Sequence, residues 1–297
     1  MEDVRVLLVD AFTDEPLAGN VAGVVPEADG LGPEQMQAVA RELGASETAF
    51  LLTTGAADRR VRFFTPTAEV DLCGHATVAS HAVVFSDGAI GAGQHTLETA
   101  VGVLDIEVEE TGMVWMTQEQ PTVRTVEIDA KRIGDVLGIT PEAIAPAELT
   151  IARASTGLPF LIVPVDYLSA LGEAAPDFDR VTELSDEFDV AGIYTFTFDT
   201  LSGDATIHGR MWAPALGVDE DPVTGTASGA AGAYLRHVEA FDRMPDEMVF
   251  EQGHFIDRPG IVHVRVGNEV RVGGRATVSV DGTLRVPDLD SDEIIEA

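Results

Sequence analysis

The chain has 297 residues, 45% of them hydrophobic, which is enough for one large or two medium domains with true cores and too apolar for a disordered protein. Acids outnumber bases 51 to 18, a net charge of -33, and a field of that sign repels nucleic acid and anionic membrane surfaces. One cysteine excludes an internal disulfide, and no run of 18 or more apolar residues offers a membrane-spanning helix.

The acids are dispersed, Lys131 is the sole lysine, and arginine supplies the other bases. Dispersed acidity points to adaptation to high salt, where screening shortens to about 3 Å at molar ionic strength, so a halophilic source is expected. The opening MEDVRVLLVDAF carries acids early and lacks the basic region and cleavage site of a signal peptide, so a cytoplasmic location is expected.

Residues 4–12 (VRVLLVDAF) read as a first strand, followed by the Gly-rich PLAGNVAGVVP. GPEQMQAVARELG has helical spacing at Met36, Val39, Ala40 and Leu43, with Pro33 at its front and Gly44 just past its end. SETAFLLT and RRVRFFTP read as strands, as do QHTLETAVG and VLDIEVEETGMVWMTQ beyond the DLCGHATVASHAVVF stretch. The second half repeats the style. FLIVPV, GIYTFTFD and TIHGRMWAP precede the small-residue run TGTASGAAGAYLRH, and an alternating tail with Gly turns closes the chain. The pattern predicts an α+β fold with many antiparallel strands and few helices. Two halves are expected, 1–118 and 119–297, with the last strand or helix free to return to the first.

An internal echo supports two halves. Laying FFTPTAEVDLCGHATVASHAVV over MWAPALGVDEDPVTGTASGAAGAYL puts Pro66 on Pro214 and Val70-Asp71 on Val218-Asp219. After a short insertion Gly74 falls on Gly225 and Ala76 on Ala227. Each copy predicts a helix made of small residues, which fits where strands wrap it closely, and a helix N-terminus whose exposed N–H groups suit an anion.

Several chemistries compete for these residues. Cys73 near a helix start, with His75 close by, allows a cysteine nucleophile, but that needs a histidine oriented by a third group. Cys73, His75 and His81 form C-x-H-x5-H, which lacks the paired spacing of zinc sites. Racemisation by two thiols is excluded within one chain, and the matching stretch of the second half, VDEDPVTG, carries acids instead. Carboxylate proton transfer remains. Strand alternation groups Glu47 with Ala45, Ala49 and Leu51, so this acid is either buried for a purpose or sits at a strand end near solvent. Asp221 is either a turn or cap residue or a second acid.

The segments VDAFTDEPLAGN, MQAVARELGASETAFL, RFFTPTAEVDLCGHATVAS, DEDPVTGTASG and VRVGGRATVSVDGTL, in that order, make the chain resemble the PhzF-like phenazine-biosynthesis proteins, which share the diaminopimelate-epimerase fold. The resemblance implies two pseudo-symmetric halves, each a curled, mostly antiparallel sheet around a central helix. It also implies an active site in the cleft between them, a homodimer and no cofactor or metal. It assigns the catalytic positions to Glu47, His75 and Asp221, and substrate binding to Asn20, Gly74, Gly225 and Thr226. Gly74 stands where the epimerases carry a catalytic cysteine. GNVAG replaces the family's G-N-P, and TGTA replaces its T-G-S-A, adding a methyl at the anion site.

The expected activity is therefore a cofactor-free isomerase or epimerase moving a proton on a small carboxylate-bearing metabolite, resembling the isomerisation of 2,3-dihydro-3-hydroxyanthranilate. The alternative is a non-catalytic small-molecule-binding or interaction protein on the same fold.

Overall fold

The computed structural model describes residues 2–146 and 149–287. It divides into two compact units, Met1–Leu17 with Val21–Val114 and Arg275–Ala297, and Ala18–Asn20 with Trp115–Gly274. In chain order the elements are β1 (Glu2–Ala11), β2 (Asn20–Val25), α1 (Pro33–Leu43), β3 (Glu47–Leu52), β4 (Arg59–Phe64), β5 (Glu69–Val70), α2 (Gly74–Ser86), β6 (Gly93–Thr99) and β7 (Gly102–Val108). There follow β8 (Val114–Thr117), β9 (Thr122–Thr125), α3 (Ala130–Leu137), β10 (Ala152–Ser155), β11 (Pro159–Pro164), α4 (Leu168–Gly172), α5 (Phe178–Phe188), β12 (Ile193–Thr197) and β13 (Ile207–Ala213). The chain closes with β14 (Val218–Asp221), α6 (Gly225–His237), β15 (Met248–Gln252), β16 (Gly260–Val266), β17 (Val270–Gly274) and β18 (Ala276–Val286). This is a mixed α/β fold with many strands and few helices. None of its described helices is long and apolar enough to cross a membrane.

In the first unit β2 pairs parallel with β3, β3 antiparallel with β4, β4 antiparallel with β5 and parallel with β6, and β6 antiparallel with β7. The long terminal strands β1 and β18 pair antiparallel, from Glu2 opposite Val286 to Ala11 opposite Ala276. The same succession of pairings recurs in the second unit, through β11, β12, β13, β14, β15 and β16. There β16 pairs in turn with β17, and β10 lies between β9 and β11.

Each unit encloses one helix. α2 packs against the paired strands β1 and β18, against β3, and against β7, which lies three pairings beyond β3, so the sheet must curl around it. Ala76, Thr77, Val78, Ala79, Ser80, His81, Val83 and Val84 are all buried, which leaves this helix almost no solvent face. α6 is enclosed in the same way by β9, β10, β11, β16 and β17, and is buried from Ala227 through Leu235. The small side chains of both helices let the strands approach. A Cβ on Gly232 would lie 2.7 Å from Val264 Cγ1 and 3.1 Å from Met248 Cε. Helix α1 differs: it is amphipathic and buries Met36, Val39 and Ala40 against Val4, Val6, Phe50 and Phe64. It stops at Gly44, whose φ of 66° suits glycine.

Enclosure also fixes the protonation of His81. It is 3% exposed, its Nδ1 lies 2.9 Å from the Thr77 carbonyl, and burial pushes its pKa down to about 4. The folded form is thus neutral where an unfolded histidine takes up a proton.

Two outcomes test this packing. Gly232→Val should destabilise the protein by about 1–3 kcal/mol through overpacking, read as a lower urea midpoint in high salt. As pH falls from 6.5 towards 4, the unfolded chain binds a proton that folded His81 does not. Stability should decline across that window, by about 3 kcal/mol in all from this group. The His81 proton resonances should stay in their neutral positions until pH nears 4.

Candidate active site

In the first unit the chemistry gathers where β3 begins and α2 begins. The parallel pairing of β2 with β3 sets Glu47 opposite Ala22. Cys73 is the extended residue that precedes α2, with φ -142° and ψ 117°, and Gly74 and His75 are the first two helical residues. The Thr77 hydroxyl and N–H both return to the Cys73 carbonyl, at 2.7 and 3.1 Å, and fasten this junction to the enclosed helix.

The result is a cluster around one imidazole. His75 Nε2 lies 3.4 Å from Glu47 Oε2 and 3.3 Å from Ser46 Oγ. Ser46 Oγ is in turn 3.4 Å from the Val21 carbonyl, which it can serve as donor. Cys73 Sγ is 3.5 Å from His75 Nδ1 and 3.9 Å from Nε2. The Glu47 and His75 side chains are 24% and 11% exposed, so both are mostly desolvated yet reachable, whereas Cys73 is buried. Of the two locations that strand alternation allows Glu47, the structure gives it both: it heads the strand, and it sits beside a buried run from Thr48 to Leu51.

The sulfur position separates two chemistries. A thiol aligned with the Nδ1 lone pair at this distance would stand ~5.5 Å from Nε2, because the two nitrogens point away from each other. Near-equal distances to both nitrogens put Sγ off that axis, out of line for proton transfer to the ring. The carboxylate and the imidazole Nε2, by contrast, face one another.

The second unit builds a separate polar network at the start of α6. Asn20, 2% exposed, donates through Nδ2 to Asp221 Oδ1 at 2.8 Å and to the Val223 carbonyl at 2.9 Å. The Thr224 hydroxyl donates to Asp221 Oδ2, so both carboxylate oxygens are engaged. Gln252, also buried, donates to the Asp221 carbonyl at 2.8 Å and to Thr224 Oγ1 at 3.2 Å, while its Oε1 accepts from the Thr224 N–H at 3.1 Å. Thr224 is the extended residue before α6, and Gly225 and Thr226 open its first turn. The two groups of sequence-predicted residues are thus assembled locally: Glu47, Gly74 and His75 in the first unit, Asn20, Asp221, Gly225 and Thr226 in the second.

Sequence reasoning passed over Ser46, Thr224 and Gln252. Ser46 and Thr224 flank predicted residues and had adjacency as a signal. Gln252 had none, since a glutamine ending a strand reads as an exposed residue.

The sequence and the fold resemble those of known proteins. The phenazine biosynthesis-like protein family, PhzC-PhzF, matches residues 9–282. The uncharacterized isomerase YfhB of Bacillus subtilis is 38% identical over 95% of this chain and 96% of its own. The Bacillus anthracis phenazine biosynthesis protein of the PhzF family superposes with a TM-score of 0.89 at 32% identity, covering 96% of this chain and all of that one. A hydroxyproline epimerase from Agrobacterium vitis, at 15% identity and a TM-score of 0.61 over 96% of this chain and 91% of its own, shares the fold alone. The chain belongs to the PhzC-PhzF family of phenazine biosynthesis-like proteins.

Proposed function

We propose that the protein is a cofactor-independent isomerase or epimerase that moves a proton on a small carboxylate-bearing metabolite, with Glu47 as the base. The observation that carries this reading is the Glu47–His75 pair, held 3.4 Å apart at the junction of β3 with the enclosed helix α2. The relatives named as isomerases support the reaction class.

In this reading Glu47 accepts a proton from a carbon beside an electron-withdrawing group, and the same carboxylic acid or a second acid returns it elsewhere. A proton on His75 Nε2 orients the Glu47 carboxylate, and Ser46 limits rotation of the ring. Gly74, without a side chain, leaves room for substrate at the backbone. In the second unit Asp221 is anchored at both oxygens, which suits a positioning role. It sets Asn20 and the Thr224 turn, and through them the N–H groups of Gly225 and Thr226. Those N–H groups are proposed to hold the substrate carboxylate and to offset developing negative charge. In a chain of net charge -33, such a local positive site is what lets an anion bind. Pseudo-symmetric halves, a homodimer and a cytoplasmic setting complete the proposal.

Glu47→Gln should lower the rate by about 10²–10⁴-fold, the span of a lost general base, with an unchanged circular dichroism spectrum. The measurement is solvent-deuterium incorporation into β,γ-unsaturated and amino carboxylates at high salt. Full exchange in the Gln variant would overturn the base assignment. Asn20→Ala should cost about 1–3 kcal/mol of stability, because it strips buried partners from Asp221 and the Val223 carbonyl. It should also raise KM more than it lowers kcat, and an unchanged KM would remove the second-unit network from substrate binding.

A further inference from the structure

Three ligand types of different softness meet at the start of α2. One oxygen of Glu47, the sulfur of Cys73 and a ring nitrogen of His75 all lie within 4.8 Å of one another. We propose that these three side chains form a site for a thiophilic divalent cation of zinc's size, and that occupancy shuts off the reaction. The blocking step rests on the proposed role of Glu47; the binding step does not.

The distances carry the binding step. Tetrahedral zinc with a Zn–S bond near 2.3 Å and Zn–N and Zn–O bonds near 2.0 Å separates sulfur from nitrogen by about 3.6 Å and nitrogen from oxygen by about 3.3 Å. The protein already holds His75 Nε2 at 3.9 Å from Cys73 Sγ and at 3.4 Å from Glu47 Oε2. Sγ lies on the Nδ1 side of the ring, so a rotamer change of Cys73 or His75 is needed to bring it within bonding distance of a cation on the Nε2 lone pair. The fourth position is left for water, and Ser46 Oγ, 3.3 Å from Nε2, stands beside it.

This ligand set is not the C-x-H-x5-H of the sequence. His81 faces the Thr77 carbonyl inside the helix packing and takes no part. The third ligand comes from β3, which is why linear spacing conceals the site. On binding, the Cys73 thiol gives its proton to solvent and the His75 proton moves from Nε2 to Nδ1, so that the thiolate, the neutral imidazole through Nε2 and the carboxylate each supply one electron pair. The pair used by Glu47 is the one needed to take a proton from substrate, so binding and turnover exclude each other.

Cobalt(II) is the direct probe. Cys73 is the only cysteine in the chain, so a thiolate-to-cobalt charge-transfer band reports this site alone, however many surface carboxylates bind cobalt weakly. The expected result is a near-ultraviolet band saturating at one cobalt per chain. Stoichiometric zinc should abolish it, and Cys73→Ser should lack it. The band in the unaltered protein is a readout independent of any variant's folding. Absence of the band, or its persistence in Cys73→Ser, overturns the site. Zinc should further suppress deuterium incorporation, with recovery on adding a chelator. Tight zinc binding with undiminished exchange overturns the blocking step, and Glu47→Gln then judges the base assignment separately.

Discussion

A helix without a solvent face governs the first unit. α2 is held by β1, β3, β7 and β18, and its buried side chains, His81 apart, are small or β-branched, so it cannot slide or turn without opening gaps on several sides. Its first residues therefore have a fixed address. Gly74 and His75 are placed by packing that begins with Ala76 and runs to Val84. Glu47 is placed by β3, which the same helix touches. The Glu47–His75 distance is thus a consequence of core packing rather than of loop geometry. That is the arrangement expected when polar groups must be held in one orientation without a reorganisation cost.

The second unit meets the same constraint with different means. α6 carries Gly229 and Gly232 at the helical positions where α2 carries Val78 and His81, and its first turn is fastened as that of α2 is, the Ser228 hydroxyl and N–H returning to the Thr224 carbonyl. Asp221 joins Asn20, at the head of β2, to Thr224, ahead of α6, and Gln252 from the end of β15 closes the ring from the other side. Every member of this network has a partner, as buried polar groups require. An aspartate bonded at both oxygens is poorly placed to exchange protons during turnover, and well placed to keep a turn in shape.

What the sequence disclosed follows from how local each signal was. The bounds of α1 could be read because Pro33, the Met36–Val39–Ala40 stripe and Gly44 all lie within one short segment. The echo between the two small-residue runs aligned Gly74 with Gly225 and placed a helix in each copy, and both glycines open 13-residue helices. The strand β3 was legible, but alternation left the place of Glu47 open because both faces of the strand are covered from Thr48 to Leu51, so no polar face exists to contrast with the core. Helices α3 and α5 went unread although their caps were present, Asp129 bonding the Lys131 N–H and Asp177 the Arg180 N–H. In so acidic a chain a capping aspartate does not stand out. The family motifs pointed to Glu47, His75 and Asp221, but the polar contacts around them connect residues up to 201 apart in sequence, and no local pattern encodes those.

The single cysteine shows how such long-range placement changes a reading. By sequence, Cys73 two residues before His75 admits a nucleophile, a metal ligand or a packed small residue. The imidazole has two nitrogens and three polar neighbours, and the geometry shares them unequally. Nε2 faces Glu47 and Ser46, while the sulfur sits off the Nδ1 axis. A thiol so placed gains little from the ring as a proton acceptor. Sγ also lies within 4.8 Å of a Glu47 oxygen, and the proposed cation would join all three groups there. In the proposed reading the residue that the motif makes conspicuous receives a metal rather than attacking a substrate, and the proton chemistry falls to a glutamate that sequence alone left undecided between core and surface.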